Sequence, residues 1–191
     1  MLELLEQVKL RTPEERHQLS NTRYLEAVSR LETLPNNAPV VQRMSLHERA
    51  GFYALWNGKN DEAIKHRLEA HRLIPEARHQ GSLDKRTVEM LNFQLAIAYL
   101  RLGETQNCVH CQTGESCILP ISEAGIHKRQ TGSRKAVEYL LRILKKNPKN
   151  LKSRWLLNIA YMTLGEYPDN VPEPFLIPPD VFESEEQFPR F

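Results

Sequence analysis

The chain has 191 residues, of which 40% are apolar, and 26 basic against 24 acidic side chains leave a formal net charge of +2. That length and apolar content suit one or two small domains with a continuous core, and so small a net charge supplies no whole-chain field for nucleic acid or an anionic membrane. No run approaches the roughly 18 apolar residues of a membrane span, and Glu3, Glu6 and Lys9 interrupt the first ten residues, so neither a membrane span nor an apolar signal core is expected. Either the chain is cytoplasmic or a leader has been removed.

In chain order, residues 1–43 hold a short amphipathic stretch and then a stronger helix from Thr12. Its Pro13-Glu14-Glu15 start and its Tyr24, Leu25, Val28, Leu31 stripe predict an N-terminal packing helix, closed by Pro35 to Pro39. A repeat unit begins at Met44, with Gly51, Gly58, Ala63, Ala70 and Pro75 at relative positions 8, 15, 20, 27 and 32. That pattern resembles the tetratricopeptide unit of two helices. Small residues such as Gly51 and Ala63 let paired helices approach closely, and Pro75 cannot continue the second helix. Ser45 with Glu48 reads as a capping box for the first helix, and Asn60-Asp61 offers a cap for the second after a turn at Gly58. About eleven further residues around Gln80-Gly81-Ser82 predict an extended helix end plus a turn.

Self-similarity recurs beyond this point. Leu95-Ala-Ile-Ala-Tyr-Leu-Arg-Leu-Gly-Glu104 matches Leu157-Asn-Ile-Ala-Tyr-Met-Thr-Leu-Gly-Glu166 at seven of ten positions, each preceded by an aromatic residue, Phe93 or Trp155. The offset of 62 residues is one unit of about 34 residues plus an insertion of about 28. Ala136 and Pro148 fit the alanine and terminal proline of a second helix, and Leu151 opens the next unit in register. The chain therefore reads as all-α: a tetratricopeptide-like helical solenoid over 44–165, with a cysteine-containing insertion at about 105–132.

That insertion holds all three cysteines, Cys108, Cys111 and Cys117. A disulfide would staple a loop too poor in apolar residues to fold alone, by about 2 to 4 kcal/mol in an oxidising compartment, and would leave one thiol over. A metal site would draw on Cys108, His110, Cys111 and Cys117 with His127, although structural zinc sites usually show two well-separated ligand pairs and this cluster is cramped. Free thiols are the third reading. Covalent haem attachment has no support, because Gln112 and not histidine follows the Cys108-x-x-Cys111 pair. His110 and His127 could act as bases for a cysteine nucleophile, but nothing signals an oxyanion hole, a phosphate loop or a metalloprotease helix. The sequence therefore predicts no enzyme and no cofactor. The basic run from His127 to Lys135, with Lys145 and Lys146, reads as a solvated helix start.

After Gly165 the pattern stops: six of the twelve prolines and four of the six phenylalanines lie in residues 166–191, which predicts an extended tail. It is expected either to pack along the solenoid as a cap or to lead into another domain.

Several of these segments together, Asn107-Cys108, Ser116-Cys117-Ile-Leu-Pro120, Gly125-Ile-His127, Gly132-Ser133, Trp155 to Pro168 and Ile177-Pro-Pro179, resemble the N-terminal region of bacterial proteins that carry FG-GAP/VCBS repeats and an ASPIC/UnbV domain. The resemblance covers roughly residues 85–191. It implies a bridge between Cys108 and Cys117 with Cys111 spare, a periplasmic or extracellular location, and a β-propeller-like domain following a tetratricopeptide portion, so that this chain would be one module of a larger protein. The expected function is a protein-interaction scaffold. Its concave surface, lined by Phe93, Arg101, Lys152 and Trp155, would grip a protein or peptide segment, including the chain's own propeller. The alternatives are that Phe93 and Trp155 are plain core residues, and that the chain is a metal-binding or redox accessory domain centred on the cysteine loop.

Overall fold

A computed structural model describes residues 21–107 and 118–182. Among these residues the regular structure is all helical: α1 (Thr22–Glu32), α2 (Val40–Trp56), α3 (Asn60–Arg72), α4 (Ile74–His79), α5 (Lys85–Asn107), α6 (Thr131–Leu144) and α7 (Leu151–Leu164), with short 3-10 turns at Glu123–Gly125, Glu173–Phe175 and Pro179–Phe182. The chain forms two compact units that divide between Ala98 and Tyr99, within α5. None of the described helices is long and apolar enough to cross a membrane.

In the first unit α2 packs against α1 and α3. The close point of the second pair is Gly51, where a Cβ would lie 2.9 Å from Arg67 Cγ and 3.2 Å from the Ala63 carbonyl oxygen. A side chain there would force the helices apart. Val40 and Met44 of α2 meet Ala70, Leu73, Ile74, Val88 and Leu91 in one buried cluster, while Tyr24, Ala54 and Ala63 form another with Val28 at its edge. Pro75 stands in the first turn of α4. Its missing N–H costs nothing there, so it breaks the chain after α3 and starts the next short helix.

Three local expectations are corrected. Helix α2 begins at Val40, directly after Pro39 in an extended conformation (φ −52°, ψ 137°), so Ser45 and Glu48 lie inside the helix and cap nothing. Asn60 is the first residue of α3, so the N-cap position falls on Lys59, whose side chain makes no capping hydrogen bond. Leu25 is 56% exposed, because the buried face of α1 runs through Tyr24 and Ala27 and Leu25 is turned about 100° from Tyr24.

In the second unit α6 and α7 pack together through buried Ala136, Leu140, Ile143 and Leu144 on one and Leu157, Ala160 and Met162 on the other. Tyr99 stacks on Tyr139, with centroids 5.8 Å apart and planes 11° apart. A Cβ on Gly132 would lie 2.6 Å from the Tyr99 carbonyl oxygen and 2.8 Å from the Gly103 nitrogen. The start of α6 therefore touches the backbone of α5 directly, as only glycine permits. Asn150 caps α7, its Oδ1 accepting from Ser153 N–H at 2.9 Å.

The two matching ten-residue segments end differently. Gly165 adopts φ +71° and terminates α7, with Glu166 N–H donating to the Tyr161 carbonyl at 3.0 Å and Gly165 N–H to that of Met162 at 2.9 Å, the double closure typical of a glycine-ended helix. Gly103 lies inside α5, which continues to Asn107. The difference follows from what comes next: Pro168 stands three residues after Gly165, whereas no proline follows Gly103 before Asn107.

Candidate functional site

Residues of the second unit that stand out in the sequence converge on α7 from two directions. On one side the returning loop is anchored at His127. Its N–H donates to the Thr163 carbonyl at 2.8 Å, its Nδ1 lies 3.1 Å from Ser133 Oγ, and Ser133 Oγ lies 2.8 Å from Thr163 Oγ1. His127 is 3% exposed and Ser133 0%, so the pair is buried, and its bonds tie the returning loop to α7. Burial pushes the imidazole below its ordinary pKa, against the opposing pull of Glu104. Gly103 makes room for the ring, which would stand 3.3 Å from a Cβ at that position. Asn107 then joins the chain where it leaves α5 to the chain where it returns: its Nδ2 donates to the Arg129 carbonyl at 3.0 Å and its Oδ1 accepts from Arg129 N–H at 2.9 Å.

On the other side, α7 holds residues 175–177 by their backbone. Asn158 is 0% exposed; its Nδ2 donates to the Phe175 carbonyl at 2.9 Å and its Oδ1 accepts from Ile177 N–H at 3.0 Å. Arg154 Nε donates to the same Phe175 carbonyl at 3.2 Å, and its Nη2 donates to the Leu176 carbonyl. Tyr167 adds a hydroxyl bond to the Ile177 carbonyl at 2.7 Å. Phe175 is buried, and Phe182 lies against Trp155 with centroids 5.4 Å apart. An amide side chain that donates to one backbone group and accepts from another satisfies both without a second strand.

Of the residues expected to line a binding surface, Phe93 is half-buried in the first unit, and Lys152 and Arg101 are exposed in the second. Arg101 pairs with Glu104 at 2.9 Å. Trp155 is 41% exposed and shares its ring face with Phe182, so part of that surface is covered by the chain's own residues. Cys108, His110, Cys111 and Cys117 lie outside the described residues. Of the five candidate metal ligands only His127 is placed, with its Nδ1 engaged by Ser133, and no group of three histidine, cysteine, aspartate or glutamate side chains able to hold a metal occurs among the described residues. The basic run is divided: His127 is buried, while Arg134 pairs with Glu166 at 2.9 Å and Lys135 with Glu138 at 3.0 Å.

Two polar pairs in the first unit escape sequence reading. His47 and His66, on α2 and α3, present their Nδ1 atoms to each other at 3.2 Å. Arg67, 1% exposed, stands 3.7 Å from Glu48 and donates to Gln94 Oε1 at 2.6 Å. Burial raises the Glu48 pKa and lowers that of Arg67, while each is partly restored by the other's charge. Their only sequence signal is polarity at positions that the helix periodicity assigns to the interior.

Compared with family models, curated proteins and solved structures, the chain matches none.

Proposed function

We propose that the chain is a protein-interaction scaffold of tetratricopeptide type, a solenoid whose helices hold extended protein segments, and that it serves as one module of a larger exported protein related to those carrying FG-GAP/VCBS repeats and an ASPIC/UnbV domain. The observation that carries this reading is the grip of Asn158 and Arg154 on the backbone of residues 175–177. It is segment recognition through backbone groups, practised on the chain's own sequence. Helix pairs closed at glycine in each unit, Gly51 against Ala63 and Gly132 against Gly103, agree with repeated helical hairpins. In this reading the proline-rich tail over 166–191 takes the place of a missing second helix. The resemblance implies a Cys108–Cys117 staple across the insertion, beside the Asn107 bonds to Arg129.

Two measurements test the proposal. Selection of displayed twelve-residue peptides on the full chain should enrich binders whose affinity falls at least about tenfold in Trp155→Ala and Lys152→Glu variants. Thiol titration without reductant should find one reactive cysteine of the three. No enrichment removes the scaffold reading. Stoichiometric metal by elemental analysis, with all three thiols reduced, replaces the staple by the metal-binding alternative.

A further inference from the structure

Helix α2 carries an exposed row that neither its core contacts nor the reading above employs. Val41, Ser45, Arg49, Phe52 and Trp56 follow one another at intervals of four, four, three and four residues, the spacing that keeps side chains on one helix face. All five are exposed, the three large apolar ones at 47% for Val41, 44% for Phe52 and 53% for Trp56. Phe52 and Trp56 rest against each other with centroids 5.8 Å apart. The N-terminal half of the row opens into a groove of about 630 Å³ between the end of α1 and the start of α2, where Arg30 and Arg49 both stand in the lining and no carboxylate does.

Charge decides what fits. Arg43, Arg67 and Arg72 of the same unit face Glu76, Glu48 and Glu69. Arg30 and Arg49 face no carboxylate within ion-pairing distance among the described residues. Two unmatched guanidinium groups beside a row of exposed apolar side chains are complementary to carboxylates set among apolar side chains. The row is about 22 Å long at the helical rise of about 1.5 Å per residue, which about seven residues of extended peptide would cover at about 3.3 Å each. Aromatic and arginine side chains are also the types that most often carry binding energy at interfaces.

We propose that this face of α2 and its groove form a docking site for an extended peptide segment of a partner protein, with carboxylates against Arg30 and Arg49 and an aliphatic or aromatic side chain on Phe52 and Trp56. The site rests on the scaffold reading but uses none of the residues that reading employs, so failure of this site and failure of that reading are distinguishable.

The test is an immobilised array of ten-residue peptides in which two glutamates lie between leucine or phenylalanine flanks at every spacing, beside copies with glutamine or lysine in place of the glutamates, all probed with the full chain. Glutamate peptides are expected to be retained, and their glutamine copies to bind at least about tenfold more weakly. Arg30→Glu with Arg49→Glu, and separately Phe52→Ser with Trp56→Ser, are expected to weaken binding at least about tenfold with the helical circular dichroism unchanged, since all four residues are exposed. Equal retention of lysine copies, or binding untouched by both pairs of substitutions, overturns the site. Binding that responds instead to Trp155→Ala and Lys152→Glu overturns it and leaves the scaffold reading in place. Retention of no peptide overturns this site, and the displayed-library selection then decides the scaffold reading. Self-association abolished by Phe52→Ser with Trp56→Ser would assign the face to a second copy of the chain, and equal competition by a ten-nucleotide DNA strand would assign it to phosphate; either result overturns the peptide.

Discussion

His47 and His66 meet Nδ1 to Nδ1 at 3.2 Å across the α2–α3 pair, with ring centroids 5.5 Å apart. One ring donates and the other accepts, so the contact holds only while at least one Nδ1 is unprotonated. Burial lowers both pKa values first; the neighbouring imidazole and the charges of Arg72 and Arg43 lower that of His47 further, and Lys65 that of His66. Glu69 opposes the shift at both, joined at His66 by Glu62. A histidine whose folded pKa lies below its unfolded value takes up protons on unfolding, so stability is fully present above about pH 6.5 and is lost as pH falls from there toward the folded values. The urea midpoint should therefore drop between pH 7.5 and 5.5, and His47→Gln with His66→Gln should flatten that drop. An equally steep dependence in the double variant would remove the pair from the account, leaving buried His127, which titrates with the same sign.

The glycines make a graded prediction. Gly132→Ala places a methyl group 2.6 Å from the Tyr99 carbonyl oxygen, a backbone clash that no rotamer relieves, and should cost about 2 to 4 kcal/mol in chemical denaturation. Gly103→Ala meets the His127 ring at 3.3 Å, which can shift by a few tenths of an ångström. It also gains helix propensity of about 1 kcal/mol, so the net change should stay within about 1 kcal/mol. Comparable losses in both variants would contradict this geometry.

Asn158→Ala should lose about 1 to 3 kcal/mol, because the Ile177 N–H is left without its side-chain acceptor and the Phe175 carbonyl keeps only the longer bond from Arg154. The sharper readout is hydrogen exchange: the Ile177 amide should exchange at least about tenfold faster, with amides in the middle of α6 unaffected. Asn158→Asp is expected to be worse than a simple isostere, since a carboxylate accepts from Ile177 N–H but cannot donate to Phe175. Unchanged exchange at Ile177 would mean that residues 175–177 are held by something else.

In the Glu48–Arg67 pair the arginine is buried, the glutamate is partly so, and neither is fully satisfied: Glu48 Oε1 and Arg67 Nε make no hydrogen bond. Arg67→Met keeps the stem that packs on Gly51 but leaves Glu48 without its counter-charge, and should destabilise the chain by about 3 to 5 kcal/mol at neutral pH. The loss should shrink on acidification as Glu48, its pKa already raised by burial, takes up a proton. Adding Glu48→Leu should recover most of the loss, which thermal unfolding of the single and double variants will measure.

Helix positions were readable wherever small residues and prolines mark close packing. Gly51 with Ala63 announced the α2–α3 pair, and the second copy of the ten-residue segment announced α7. Boundaries were less readable: Ser45-x-x-Glu48 has the form of a cap, but Pro39 is the stronger start signal, and the apolar run Val40, Val41 and Met44 continues the helix back to it. What the sequence hid was pairing between polar residues far apart in the chain. His47 and His66 are 19 residues apart and meet only through the register of two helices. The Asn158 and Thr163 contacts had a signal of another kind. Both are among the three positions at which the two ten-residue copies differ: Asn158 spends its side chain on residues 175–177 and Thr163 on Ser133 of α6.

The clamp at Asn158 has a consequence for exchange. It grasps a carbonyl and an N–H two residues apart, groups every polypeptide possesses, so its demand is for a backbone shape and is indifferent to most side chains. Selectivity at this seat must come from the buried Phe175 and from the Trp155–Phe182 contact. A competing strand with aromatic residues in both the Phe175 and the Phe182 positions would offer the same backbone and ring groups, and the resident would differ from it chiefly in being tethered to the helix it covers.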